Sequence, residues 1–187
     1  MNEQIVLTTG EKRNVGSVYC LGRNYAKHAE EMGAAPEPVV FIKPAAALVP
    51  GGGEVALPPG CERVDHEVEL VLLLADGVPE ADPRRAVEAI AAVGLGIDLT
   101  ARDLQSQAKE RGGPWARAKG FPGSGPVSTF VPRNQLEVDW GEIDLALSVD
   151  DEPRQSGSTE RMLLPVGRTV ALLSQWFPLR AGDLIFT

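Results

Sequence analysis

Three carboxylates beside apolar segments are the residues of this sequence whose types and spacing best suit metal binding. Glu67 and Glu69 are two residues apart in DHEVELVLLL, so on a strand both side chains lie on one face. The residues after them are apolar on both faces, which is typical of a strand buried on both sides. Two ionised carboxylates at the entrance of such a strand repel each other and are costly to desolvate without a cation. Asp98 ends a second apolar run, AAVGLGI, and adds a third carboxylate.

The two glutamates by themselves allow two interpretations. They lie on a solvated edge and pair with Lys or Arg, or they bind a metal ion, and Asp98 favours the metal. Carboxylates are hard oxygen ligands, so the sequence predicts Mg²⁺, with Mn²⁺ or Ca²⁺ as alternatives. Zinc usually recruits Cys or His. His66 is the nearby candidate, but on a strand it points away from the Glu67 face, so we expect a structural role for it.

A His–Glu pair is the second candidate for chemistry. His28 and Glu31 are three residues apart and share a face if the segment is helical. A carboxylate beside an imidazole orients it and raises its basicity, which suits a general base acting on water. On an exposed helix such a pair is usually only solvated, and the neighbouring Glu30 is an equally good partner on spacing alone.

The elements that position these residues are predicted to be mainly β-strands with irregular connections, an α+β fold with a mainly β core. Periodicity and cap residues predict strands at Val39–Lys43 and Glu67–Leu74, and helices over Tyr25–Met32, Arg84–Val93, Thr100–Glu110 and Val166–Trp176. A Gly- and Pro-rich stretch from Gly112 to Pro126 reads as a long loop.

Composition places the chain among ordinary globular proteins. Its 187 residues suffice for a single domain, 1–187, and the net charge of −8 argues against nucleic acid or an acidic membrane as partner. Cys20 and Cys61 follow no metal-binding spacing and are expected to be free thiols. With neither a signal peptide nor an apolar stretch long enough to span a bilayer, the sequence predicts a cytoplasmic protein.

Five segments, in order, resemble the fumarylacetoacetate hydrolase family, especially its short members that act as acylpyruvases. They are GRNYAKHAEEMG (22–33), PVVFIKP (38–44), DHEVELVLLL (65–74), GIDLTARDLQ (96–105) and PWARAKGFPGSGPVS (114–128). The resemblance runs from about residue 15 to the last residue. It implies a mixed β-sandwich roll with a few short helices, usually as a homodimer.

The resemblance also implies a role for each residue that matches a family motif. Glu67, Glu69 and Asp98 fall on the three metal-ligand positions, and His28 and Glu31 on the water-activating pair, which favours Glu31 over Glu30. Lys119 falls on an active-site lysine. Lys43, Arg102 and Gln105 fall near the carboxylate and carbonyl oxygens of the substrate. Family members continue into a GTPxGVGP loop, which this chain, ending at Thr187, is expected to lack.

The expected activity is metal-dependent hydrolysis of a C–C bond in a small 2-oxo acid of the acylpyruvate type, such as fumarylpyruvate or acetylpyruvate. A divalent ion acts as Lewis acid, His28 with Glu31 activates water, and Lys119 stabilises the developing oxyanion. Oxaloacetate decarboxylation and isomerisation of a 2-hydroxydienedioate use the same enolate and are the alternatives. A non-catalytic metal-binding domain is the rival from another class.

Overall fold

The computed structural model describes residues 3–25, 38–75 and 82–187, and its secondary structure is mainly β. The helices and strands, numbered along the chain, are β1 (Gln4–Val6), β2 (Lys12–Asn14), β3 (Val18–Gly22), β4 (Val39–Lys43), β5 (Leu48–Pro50), β6 (Val64–Asp65), β7 (Val68–Leu74), α1 (Pro83–Ala86), β8 (Ile90–Ile97), β9 (Thr100–Ala101), α2 (Arg102–Glu110), α3 (Ala116–Lys119), β10 (Gly125–Val127), β11 (Val131–Pro132), β12 (Asp144–Val149), β13 (Glu152–Ser158), α4 (Val166–Trp176) and β14 (Leu184–Phe186). The predicted fold class, α+β with a mainly β core, is confirmed.

A mixed eight-stranded sheet forms the centre of the fold. Its strand order is β4-β3-β14-β7-β8-β10-β5, with β11 paired to β8. Strand β7 therefore lies in the middle, antiparallel to both β14 and β8. Strands β14 and β3 run parallel, as do β10 and β5. Small antiparallel pairs, among them the β12–β13 hairpin, lie outside this sheet.

Strand β7 separates two hydrophobic cores, as its alternating pattern predicts. All seven of its residues are buried. Val68, Leu70, Leu72 and Leu74 belong to one core, which helix α4 also lines, whereas Val71 and Leu73 belong to the core on the other side. The prediction of a strand buried on both faces is confirmed.

The helix predictions agree with the structure to different degrees. Helix α4 has the predicted bounds, and α2 begins two residues later than expected, at Arg102. The prediction of a helix through Val93 is wrong, because α1 and a 3₁₀ turn end at Ala89 and β8 begins at Ile90. Pairing with β7 along the length of β8 outweighs the helical spacing there. The helix predicted over Tyr25–Met32 lies almost entirely outside the described residues.

Within the described ranges, no helix has the length and apolar character needed to cross a membrane.

Candidate metal centre and its cavity

Three carboxylates converge where β7 and β8 meet. Glu67, Glu69 and Asp98 each offer an oxygen, and these oxygens all lie within 4.8 Å of one another. Asp98 and Glu69 are buried, and 15% of the Glu67 side chain is exposed. The two glutamates therefore meet Asp98 at one place, Glu69 from within β7 and Glu67 from the residue just before it. Binding of an ion by the three residues remains a proposal.

The register between β7 and β8 produces this convergence. Glu69 lies opposite Gly96, and the backbone N–H of Asp98 donates to the carbonyl of Glu67 at 2.8 Å. Asp98 therefore leaves the sheet beside the strand that carries the glutamates. Only glycine fits at position 96, because a Cβ there would lie 2.4 Å from Phe186 Cε1 and 2.6 Å from Val71 Cγ2.

Two buried lysines lie against these carboxylates. Lys119 Nζ donates to Glu67 Oε2 at 2.7 Å and also to Asp98 Oδ2. Burial alone lowers the pKa of Lys119, but the charges of Asp98 and Glu67 outweigh it, and the pKa is raised. Lys119 is therefore an ammonium ion. Lys43 Nζ forms an ion pair with Asp98 Oδ1 at 2.8 Å, although the angles there are not those of a hydrogen bond.

The second carboxylate oxygen of Glu69 is the feature that best fits a bound cation. Glu69 Oε2 is buried and has no hydrogen-bond partner among the described residues. Burial, reinforced by the charges of Asp98 and Glu67, raises the pKa of Glu69 well above its ordinary value. Lys43 and Lys119 thus compensate only part of the charge of the three carboxylates. The donor set of three oxygens fits a hard divalent ion.

Arg102 connects the cluster to its surroundings. Its Nη2 donates to Glu67 Oε1 at 2.5 Å, its Nε to Asp65 Oδ2 at 2.7 Å, and its Nη1 to Gln105 Oε1 at 2.8 Å. Three of the five guanidinium N–H groups thus donate to described residues, and the other two have no acceptor among those residues. Arg102 and Gln105 lie three residues apart on α2 and both line the cavity described next.

The carboxylates open into a cavity of about 450 Å³. Glu67, Glu69, Lys119, Arg102 and Gln105 all line it, so the structure brings together five residues that the sequence predicts for the site. Lys43 is fully buried and is not among the lining residues. Its predicted contact with substrate stays a prediction. His28 and Glu31 lie outside the described residues.

His66 requires a correction. The expectation that it points away from the carboxylates assumed that His66 and Glu67 belong to the strand, but β7 begins only at Val68. Residues 66 and 67 form the link between β6 and β7, where alternation does not apply. His66 lines the cavity, and its buried Nδ1 has no partner in the described part of the chain.

Sequence reasoning missed two further groups of lining residues. The β12–β13 hairpin lies over the entrance of β7, where the Gln155 side chain accepts from Val68 N at 2.8 Å and donates to Val68 O at 3.1 Å. Arg23, Lys109 and Trp115 line another part of the cavity wall. Arg23 lies in the GRNY segment and Trp115 in the PWARAKG segment, so both motifs carried a signal for them. Nothing in the sequence marks Gln155 or Lys109.

Comparison with known proteins gives consistent results. A family model described as fumarylacetoacetate (FAA) hydrolase C-terminal matches residues 17–187. Oxaloacetate tautomerase YcgM of Escherichia coli (strain K12) is 42% identical over 175 residues, which are 92% of this chain and 80% of that protein. The mitochondrial oxaloacetate tautomerase FAHD1 of Rattus norvegicus is 41% identical, with 91% of this chain and 78% of that protein covered.

Among solved structures, the fumarylpyruvate hydrolase of Pseudomonas aeruginosa in complex with Mn²⁺ and pyruvate is very similar to this chain. The TM-score is 0.94 at 35% sequence identity, and the match covers 99% of this chain and 82% of that one.

Proposed function

Because this chain belongs to the fumarylacetoacetate hydrolase family, we propose that it is a divalent-metal-dependent enzyme whose reaction passes through the enolate of a 2-oxo acid. The principal reaction that we propose is the keto–enol tautomerisation of oxaloacetate. The convergence of Glu67, Glu69 and Asp98 at a cavity with several basic residues carries this proposal. The names of two relatives about 40% identical to the chain support the choice of reaction.

In this proposal Glu67, Glu69 and Asp98 hold the metal ion. Mg²⁺ is our preferred ion because the donors are all carboxylate oxygens. Mn²⁺ and Ca²⁺ also favour oxygen ligands and are the alternatives. The Mn²⁺ in the Pseudomonas aeruginosa structure shows that a similar fold accepts a divalent cation of this kind. A bound divalent ion would supply Lewis acidity that draws electron density from the keto group.

The residues of the chain supply the other parts of the reaction. The ammonium of Lys119 would stabilise negative charge on the keto oxygen as a C3 proton is lost. The two unused N–H groups of Arg102, with the amide of Gln105, would bind the carboxylate next to the keto group. We propose His28, oriented by Glu31, as the base that takes the C3 proton, and tautomerisation is complete when a proton is added to the oxygen.

Hydrolysis of acylpyruvates is the second candidate function. The similarity to a fumarylpyruvate hydrolase with pyruvate bound favours it, since cleavage of an acylpyruvate releases pyruvate. In that reaction His28 and Glu31 would act on water rather than on a C3 proton. Decarboxylation of oxaloacetate and isomerisation of a 2-hydroxydienedioate require the same enolate and would share the site.

The test compares the disappearance of the oxaloacetate enol with the cleavage of acetylpyruvate and fumarylpyruvate, each with Mg²⁺ and with a chelator. We expect metal-dependent tautomerisation that falls by at least about 10²-fold in Asp98→Asn, because Lewis-acid stabilisation is worth several kcal/mol. Asp144→Asn, which changes an exposed aspartate of β12, is the control. A rate that is unaffected by chelation and by Asp98→Asn would exclude the metal-dependent mechanism. Faster cleavage than tautomerisation would favour the second candidate.

A further inference from the structure

Two cations lie on one aromatic ring in the wall of the cavity. The guanidinium carbon of Arg23 is 5.7 Å from the centre of the Trp115 ring, and Lys109 Nζ is 5.4 Å from it. All three residues line the same cavity as Glu67 and Glu69. Neither cation forms an ion pair with any residue in ranges 3–25, 38–75 and 82–187.

The backbone fixes Arg23 in an uncommon conformation. Its φ is +65°, in the left-handed region that residues other than glycine rarely adopt. The next residue, Asn24, is buried and forms two hydrogen bonds with the backbone of Leu164. Its Oδ1 accepts from the Leu164 N–H at 2.8 Å, and its Nδ2 donates to the Leu164 carbonyl at 3.2 Å. These two hydrogen bonds hold the backbone next to Arg23 in place. The Arg23 Nε is buried without a hydrogen-bond partner in the described part of the chain.

Among the described residues, no carboxylate forms an ion pair with Arg23 or Lys109. Partial burial, followed by the guanidinium groups of Arg23 and Arg102, lowers the pKa of Lys109, and the opposing effect of Glu67 is smaller. Like charges held together against repulsion favour an anionic ligand, which would relieve the repulsion and satisfy the free donors. Arg23 and Lys109, both on the Trp115 ring in the cavity wall, are therefore suited to bind an anion.

We propose that Arg23 and Lys109, positioned on the ring of Trp115, bind the second carboxylate of a 2-oxo dicarboxylic acid. The 2-oxo acid end of the same molecule would lie at Glu67, Glu69 and Asp98. This inference rests on the proposed function and names its substrate class as dicarboxylates. A monocarboxylic 2-oxo acid would leave Arg23 and Lys109 uncompensated and is expected to be a poorer substrate.

The test uses two acids that differ only at the distal group, oxaloacetate and 2-oxobutyrate, in which a methyl replaces the second carboxylate. Enolate formation from both is followed by exchange of C3 protons for deuterium, measured by NMR. We expect Arg23→Gln and Lys109→Met each to lower kcat/KM for oxaloacetate by about 10- to 100-fold, the worth of a charge-assisted hydrogen bond. In the same two variants, kcat/KM for C3 exchange in 2-oxobutyrate should change by less than about twofold. Arg23→Lys, which keeps the charge, should recover most of the loss.

Arg117→Gln, on the exposed side of α3, is the matched control and should behave as the wild type. An equal loss for both acids, or no loss for either, would overturn the subsite. If the wild type shows no metal-dependent exchange with either acid, the proposed function fails instead. In that case calorimetry with Mn²⁺ present compares the affinities of the two acids, and equal affinities in the wild type would overturn the subsite as well.

Discussion

Lys43 and Lys119 are buried cations that share one carboxylate, Asp98, yet the structure indicates different roles for them. Lys119 lines the cavity, whereas Lys43 lies behind the carboxylates, where it also donates to Ser124 Oγ at 3.1 Å and to the Lys119 carbonyl. Lys43 thus contacts the last residue of α3 as well as Asp98. We infer that Lys43 positions Asp98 and Lys119 rather than touching substrate.

Replacement of Lys43 by methionine tests this positioning role. Lys43→Met should lower the free energy of unfolding by about 3–5 kcal/mol in the presence of a chelator, because removing one partner of a buried ion pair leaves the other charge uncompensated. Urea denaturation measures the change. Lys12→Met, on the exposed strand β2, is the control and should stay within about 0.5 kcal/mol of the wild type. A loss below about 1 kcal/mol for Lys43→Met would contradict the assigned role.

At the scale of single residues, the sequence indicates the three clustered carboxylates better than it indicates the cations around the cavity. Glu67, Glu69 and Asp98 lie beside apolar runs, so spacing and desolvation identify them. Arg23 and Lys109 belong to segments distant in sequence, and no local pattern predicts that both lie on the ring of Trp115. For His66 the alternation rule fails because this residue lies two positions before the start of β7.

Among the elements, β7 and β8 position the three proposed metal ligands, which lie on β7 or directly beside the ends of the two strands. Gly96 of β8 allows the close packing there. Phe186 of β14 and Val71 of β7 occupy the space beside Gly96, so three neighbouring strands pack closely at the residue opposite Glu69. The apolar pattern predicts both strands as buried segments. It does not predict where β8 begins, because the first residues of that strand also fit a helical pattern.

Gly96→Ala should destabilise the fold by about 1–3 kcal/mol, since its Cβ would lie 2.4 Å from Phe186 Cε1 and 2.6 Å from Val71 Cγ2. The matched control is Gly157→Ala on strand β13, where no heavy atom lies within 4 Å of the added Cβ. Thermal unfolding of both variants measures the difference. Equal melting temperatures for the two would show that β14 and β7 adjust freely and that Gly96 does not fix the packing.

The element that carries Lys119 shows where sequence prediction ends. Helix α3 is a single turn within the stretch from Gly112 to Pro126, which reads as a loop because Gly and Pro dominate it. It has no amphipathic repeat of its own. Its Ala118 instead packs against Phe121, Leu104 and Cys61 in a third small core. The tertiary contacts of this turn, and not its local propensity, place Lys119 against Asp98.

For the whole molecule, charge is distributed unevenly. The chain has a net charge of −8, yet Arg23, Arg102, Lys109, Lys119, Arg154 and Arg161 all line the cavity. A local field of this kind favours small anions even though the protein as a whole repels them. The proposed ligand, a 2-oxo acid, is an anion and is consistent with this distribution of charge. The single domain, the homodimer and the cytoplasmic location remain predictions, because they depend on contacts or contexts outside one described chain.

Calorimetric titration of Mn²⁺ into the metal-free protein tests the central claim most directly, that Glu67, Glu69 and Asp98 form a divalent-cation site. We predict one ion per chain in the wild type and in Glu137→Gln, which alters an exposed glutamate. In Glu69→Gln the Mn²⁺ affinity should fall by at least about 100-fold. Loss of a residue that only supports a metal ligand costs up to about 100-fold, and loss of a ligand itself should cost no less. Without metal the variant should melt no lower than the wild type, because it removes a buried carboxylate whose charge is costly to desolvate and is repelled by Asp98 and Glu67. Undiminished Mn²⁺ affinity in a folded Glu69→Gln protein would contradict the assignment.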